Sequence, residues 1–356
     1  MAVSEAQYYR RGDIGNMYSR AGTTIIADIT RCASTGFTHV PTAGLSKTIM
    51  ILAEDAIEEL RTVGDLVRWG ASRFTEAGLN FGHGTENALD EAFNLVRHAL
   101  HLPHDVPPYM IATRLTRAER RSVVNLLVQR ITSRKPAPYL INEAWFAGMP
   151  FYVDERVLIP RSPIAELIAA GFQPWLAADD VNHILDLCTG SACIAIACAM
   201  AFPGAAVDAT DISPQALAVA GINVQRYGLQ AQVKLIESDV YAALDPQVNQ
   251  YDLIVSNPPY VDAQDMAALT AEYKHEPALA LRAGMDGLEI VKRILRDASR
   301  YLSEQGLLVV EIGNSYPALL EQFPQVPFTW PEFEHGGHGV FILTAEQVRE
   351  YNDAFC

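Results

Sequence analysis

From His183 onward the chain alternates short apolar runs with helical ones, and that alternation restricts its fold more than any other feature. Strand-like runs fall at residues 183–187, 206–209, 233–236, 252–256 and 307–312, and helical runs at 193–201, 214–227 and 287–302. Neighbouring parallel strands need a long crossover, which a helix supplies. The pattern therefore predicts an α/β fold with a doubly wound, mostly parallel sheet. Two further runs, 328–333 and 340–343, flank His335-Gly336-Gly337-His338-Gly339 and predict a C-terminal antiparallel hairpin, making seven strands in all.

The fourth of these strands stops at Asn257-Pro258-Pro259-Tyr260. Two successive prolines lack N–H groups and have a fixed φ, so a central strand cannot continue through them. The chain must instead make a rigid turn there, presenting an amide, free carbonyls and an aromatic ring at the strand's carboxyl end. In open α/β sheets that edge is where ligands bind. Taken alone, the turn is as well explained by a buried strand ending at an Asn-Pro step.

The first half of the chain has a different period. Residues 1–46 show no sustained pattern and read as a poorly ordered extension. Over residues 47–135, Ile51, Ile57, Leu60, Leu66, Val67 and Phe74 recur at helical intervals, with a break near Gly64. A second helix begins after Glu86-Asn87, and a third begins at Thr116, whose Glu119 three residues on forms a capping-box signature. Residues 136–163 read as a linker with short hairpin strands around Gly148-Met149-Pro150 and Asp154-Glu155-Arg156, and residues 164–356 carry the α/β domain.

Composition removes several function classes. Hydrophobic residues make up 49% and charged residues 19%, as in ordinary globular proteins. The densest apolar run, residues 193–202, is half the length a membrane span needs, and the first residues carry no secretory pattern, so a cytoplasmic protein without a membrane span is expected. Cys188, Cys193 and Cys198 have no zinc-ligand spacing. His83, His98, His101 and His104 also lack carboxylates at ligand spacing, so no metal is expected. With 27 basic and 42 acidic residues the net charge is −15, which argues against free nucleic acid as the main partner and suits a basic protein.

Acidic residues recur where the sheet would bind a ligand. Asp186-Leu187-Cys188-Thr189-Gly190-Ser191 joins the first strand to its helix, and it is neither a Gly-x-Gly-x-x-Gly loop nor a phosphate loop with Gly-Lys-Ser. An acidic residue before that turn would repel a pyrophosphate and favour a cationic amino group. Asp211, at the end of the second strand, can accept both hydroxyls of a ribose, and Asp239 ends the third strand beside the expected base. Each could be a helix cap by itself; three at successive strand ends read as a site.

Asp186, Thr189-Gly190-Ser191, Asp211, Asp239 and Asn257-Pro258-Pro259-Tyr260, in that order, resemble the class I S-adenosylmethionine-dependent methyltransferases that modify a planar nitrogen. With Ile159-Pro160-Arg161 upstream and His275-Glu276-Pro277 and Gly284-Met285-Asp286-Gly287 downstream, the chain is similar to the bacterial protein-glutamine methyltransferases. Phe81-Gly82-His83-Gly84-Thr85 and the Ser162-Pro163 pair, where the release-factor branch has Pro-Glu, match the branch acting on large-subunit ribosomal protein three.

The resemblance implies S-adenosyl-L-methionine as cofactor, held by Asp186, Thr189, Gly190, Asp211, Asp239 and Asn257. Asn257, Pro258 and Tyr260 would be catalytic, and Asn257, Pro258, Pro259, Tyr260, Glu276 and Arg161 would meet a glutamine of a basic ribosomal protein chosen by the helical part. For Arg161 a simple salt bridge is an equal account. Ala192 departs from the family's second glycine and leaves the path of the loop open. Two rivals are an adenine-amine methyltransferase, with Tyr260 stacking on a flipped base, and a non-catalytic ribosome-assembly factor that keeps the fold.

Overall fold

Helices α1 (Thr42–Glu59), α2 (Val63–Glu76), α3 (Ala88–Ala99) and α4 (Arg117–Ser133) open the computed structural model, which describes residues 42–355, with side chains from Ile51 onward. Helix α1 begins at Thr42, and the rest of the extension expected over residues 1–46 lies outside the described residues. The break expected near Gly64 falls at Leu60–Thr62, because Thr62 and Asp65 form a reciprocal capping box that starts α2. Thr116 and Glu119 do the same for α4. These helices close around Leu66, Phe74, Leu95 and Leu127, each fully buried; burying each such side chain contributes about 1.5–3 kcal/mol.

Short helix α5 (Ala137–Ile141) leads into a hairpin of β1 (Ala144–Phe146) and β2 (Met149–Phe151), paired antiparallel. Residues 157–159, expected as a further hairpin strand, run as an irregular buried segment whose Val157 carbonyl accepts from the Tyr139 hydroxyl at 2.5 Å. Helix α6 (Ile164–Ala169) starts directly after Pro163.

The main sheet then builds in chain order: β3 (His183–Leu187), α7 (Cys193–Ala201), β4 (Ala206–Asp211), α8 (Pro214–Arg226), β5 (Val233–Glu237), β6 (Tyr251–Ser256), α9 (Ala263–Ala268), α10 (Glu289–Ala298), β7 (Leu302–Glu311), α11 (Tyr316–Gln322), β8 (Val340–Thr344) and α12 (Ala345–Glu350). Among the described residues it has six strands in the order β5-β4-β3-β6-β7-β8, parallel except for β8, which runs antiparallel to β7. The seventh strand, expected over residues 328–333, contributes a single bridge between Thr329 and Ile342. Pro327 and Pro331 cannot donate to a longer ladder there.

Both faces of the sheet are covered. Helices α6 and α7 pack against Ile184, Val207, Leu253 and Val309 on one face. On the other, α10 buries Val291, Ile294, Leu295 and Ala298, a helical stripe at i, i+3, i+4 and i+7, against Leu185, Ile254 and Leu308. The strand order reverses between β3 and β6, and that reversal opens a crevice at their carboxyl ends. Residues from Thr48 onward form one compact unit.

Candidate active site

A cavity of ≈ 540 Å³ fills this crevice, walled by the loops that leave β3, β4, β5 and β6. Thr189, Gly190 and Ser191 come after β3; Asp211 ends β4 and Ser213 caps α8; Ser238 and Asp239 come after β5; Asn257 and Pro259 come after β6. Four strand ends meet here only because β3 and β6 are neighbours while the connections leaving them diverge.

Asp186 stands beneath the first loop instead of in the cavity wall. Its Oδ2 accepts from the Thr189 hydroxyl at 2.5 Å and from the Ala195 amide at 3.0 Å, while Oδ1 is buried without a partner. Burial pushes its carboxyl up to about 7, against those two hydrogen bonds. Asp186 thus ties the loop to the first turn of α7. Gly190 has φ +55, with no atom near the place of a Cβ, and its amide donates to Asp211 Oδ2 at 2.9 Å. Asp211 Oδ1 accepts from the Ser213 amide at 2.8 Å, and burial raises this carboxyl as well. Ala192 adopts φ 63 and ψ 23, the left-handed conformation that a glycine takes without strain. The loop keeps that path with an alanine at its turn.

Asp239 is half-exposed and paired with Arg293 of α10 at 2.8 Å. Asn257 lines the cavity, and its Oδ1 is buried and accepts no hydrogen bond. Most buried polar atoms find a partner, so an orphan acceptor in a cleft wall marks a place for a donor. Pro258 is buried behind the wall. The Tyr260 hydroxyl turns toward β7, donating to Glu311 Oε1 at 3.1 Å.

Arg161 lines the cavity, whereas Glu276 is buried behind it. The two are joined by a bidentate pair, Nη1 to Oε1 at 2.6 Å and Nη2 to Oε2 at 2.7 Å. Burial alone would raise the Glu276 carboxyl, but the guanidinium outweighs it and holds the group at about 2. Glu276 also accepts from the Ile159 amide at 3.2 Å and lies 3.7 Å from the ring of His83.

Sequence reasoning missed Glu311, Ser162, Glu289 and Arg293, of which all but Glu311 line the cavity. The rule that selects Asp186, Asp211 and Asp239, an acidic residue at a strand's carboxyl end, would equally have selected Glu311. Burial raises the Cys188 and Cys193 thiols, the latter to about 12, so the cavity offers no thiolate nucleophile near neutral pH. Among the described residues no cluster of His, Cys, Asp and Glu could hold a metal ion, and no helix is long and apolar enough to cross a membrane.

A mostly parallel sheet in this order, a carboxylate at the end of β4 and an Asn-Pro-Pro-Tyr turn directly after β6 accord with a methyltransferase. Residues 172–284 match the family model described as "Methyltransferase small domain". The chain is 48% identical over 303 residues to the ribosomal protein uL3 glutamine methyltransferase of Francisella tularensis, covering 85% of this chain and 96% of that one. It is 53% identical over 298 residues to the protein of the same name from Xylella fastidiosa, covering 84% and 95%. The chain belongs to the family of ribosomal protein uL3 glutamine methyltransferases. Among solved structures, the T. Thermophilus 16S rRNA N2 G1207 methyltransferase in complex with AdoMet and guanosine aligns at TM-score 0.39 and 18% identity, covering 57% of this chain and 49% of that one.

Proposed function

We propose that this chain transfers a methyl group from S-adenosylmethionine to the side-chain amide nitrogen of a glutamine in large-subunit ribosomal protein uL3. The observation that carries the reading is the buried, unpartnered Oδ1 of Asn257 at the end of β6. An amide NH2 is the donor such an acceptor needs, and Asn257-Pro258-Pro259 holds it on a backbone that two prolines have made rigid.

The cavity suits the cofactor. Asp211 keeps lone pairs beyond the two amides it accepts from, enough for a pair of ribose hydroxyls. Thr189 and Gly190 would hold the amino-acid end, with no Cβ at Gly190 to obstruct it, and Asp239 would face the base. Asp186 acts through the loop it braces. When bound, the cofactor supplies an electrophilic methyl group together with its own leaving group.

The chain's residues have one main task, which is to present the nitrogen. Its lone pair is delocalised into the carbonyl, so it attacks only if held in line. Asn257 Oδ1 would accept one amide N–H and the Pro258 carbonyl the other, which favours the positive charge that develops on nitrogen as the S–CH3 bond breaks and the N–CH3 bond forms, one amide proton then leaving to solvent. Tyr260 packs beside the planar amide, and Arg161, fixed by Glu276, meets the substrate backbone at the cavity edge.

The net charge of −15 suits a basic ribosomal protein and disfavours free nucleic acid, and a cytoplasmic location without a membrane partner accords with that substrate. The helical part, α1 to α4, would select it.

Intact-mass analysis of purified uL3, with and without enzyme and cofactor, tests the reading. One added methyl group localised to glutamine is expected. Transfer to adenine in RNA or DNA with none to uL3 would overturn it. The Asn257→Ala variant should still bind cofactor in a calorimetric titration, yet lose about 100-fold or more in transfer rate.

A further inference from the structure

Glu311 is a buried carboxyl at the carboxyl end of β7, and it faces the back of the Asn257-Pro258-Pro259-Tyr260 turn. Its Oε1 accepts from the Tyr260 hydroxyl at 3.1 Å, and its Oε2 from the Ser162 hydroxyl at 2.5 Å. Ser162 lies in the cavity wall. One carboxylate therefore ties the substrate turn to a segment of the cavity wall that lies 149 residues before Glu311 in sequence.

The rest of Tyr260 is fixed just as closely. A Cβ on Gly313 would stand 2.6 Å from Cε2 of the Tyr260 ring, so the missing side chain lets the ring lie against the backbone just after β7. The Tyr260 carbonyl accepts from the Ser315 hydroxyl at 2.9 Å. Ring face, phenol and carbonyl are thus each held by residues at or just beyond the end of β7.

We propose that Glu311 is a positioning residue: by holding the Tyr260 phenol and the Ser162 hydroxyl together it fixes the tyrosine ring, and with it the amide-binding turn, in the reactive arrangement. This rests on the methyl transfer proposed above. Glu311 does not line the cavity and acts through Tyr260. Its cost supports the assignment, since burial pushes this carboxyl up to about 7 and ionising it near neutral pH opposes folding. A glutamine would fill the same space without that cost.

The test is steady-state kinetics on uL3 with Glu311→Gln, Tyr260→Phe and the double variant, beside thermal unfolding and calorimetric cofactor binding. Glu311→Gln should stay folded with an unchanged or higher melting temperature at pH 8. Its cofactor affinity and its KM for uL3 should stay within about threefold while kcat falls about 10- to 100-fold. In the Tyr260→Phe background the same substitution should change kcat less than about twofold, because the coupled bond is already gone.

Wild-type kcat in Glu311→Gln would overturn the role. So would a loss that repeats in full in the Tyr260→Phe background, or a loss explained by unfolding. A wild-type enzyme inactive on uL3 would sink both the proposed reaction and this role. An active wild type with an indifferent Glu311→Gln would sink this role alone.

Discussion

Ala192 shows how one residue bears on the cofactor loop. It is fully buried and sits at φ 63, where an L side chain carries about 1–2 kcal/mol of strain that glycine escapes. Glycine costs part of that back through the entropy of the unfolded chain. Ala192→Gly is therefore expected to raise stability by up to about 1 kcal/mol, read as a shift of the urea midpoint, with the loop path unchanged. Ala192→Val should lower stability by about 2–3 kcal/mol, since a β-branched side chain in that conformation is strained and the site has no room. Equal midpoints for the two variants would show that the loop does not hold the left-handed turn. At the same scale, the orphan Oδ1 of Asn257 and the orphan Oδ1 of Asp186 have different meanings. The first belongs to a residue that lines the cavity, while the second lies beneath the loop, outside the cavity wall.

Among elements, the segment after α9 joins the helical layer to the catalytic sheet. Glu272 pairs with Arg134 at 2.7 Å and lies 3.8 Å from Arg130, and Glu276 pairs with Arg161. His275 meets the carbonyl of Ser133 at the end of α4 at 3.1 Å. Arg130 of α4 is fully buried, and its main partner is Glu91 of α3 at 2.7 Å, which also accepts from Thr85. Removing Glu91 would leave the buried Arg130 with only the Asn80 carbonyl and the longer Glu272 contact, a loss of about 3 kcal/mol. Glu91→Ala should lose that much in equilibrium unfolding, whereas Thr116→Ala, which removes the exposed cap of α4, should lose only about 1 kcal/mol. If the two losses are equal, the Arg130 cluster is not holding α3 to α4.

At the scale of the whole molecule, buried carboxyls of opposite character set the pH range of stability. Asp186 and Glu311 are raised from 3.8 and 4.5 to about 7. Such groups favour folding below their unfolded pKa, and that contribution is lost as pH rises through about 7. Glu276 is lowered from 4.5 to about 2, so its contribution, about 3 kcal/mol, is present above pH 4.5 and lost as pH falls toward 2. The melting temperature of the ligand-free protein should therefore peak near pH 5 and decline on both sides. Asp186→Asn should flatten the alkaline decline and leave the acid one intact. A wild-type melting temperature that climbs steadily from pH 5 to pH 8 would contradict the raised carboxyls.

The sequence by itself determined the parallel sheet, its helices and the strand-end residues Asp211, Asp239 and Asn257, because period and proline placement act within a few residues. It also put Arg161 and Glu276 near the site, but as separate residues. Only the tertiary structure decided that these two, 115 residues apart, are bound to each other, and that Glu311 holds Ser162 and Tyr260 together. It also decided that the last expected strand shrinks to one bridge at Thr329 and that Asp186 props the loop from below. Those outcomes depend on which strands become neighbours and on how deeply a carboxyl is buried, and neither quantity is written into local spacing.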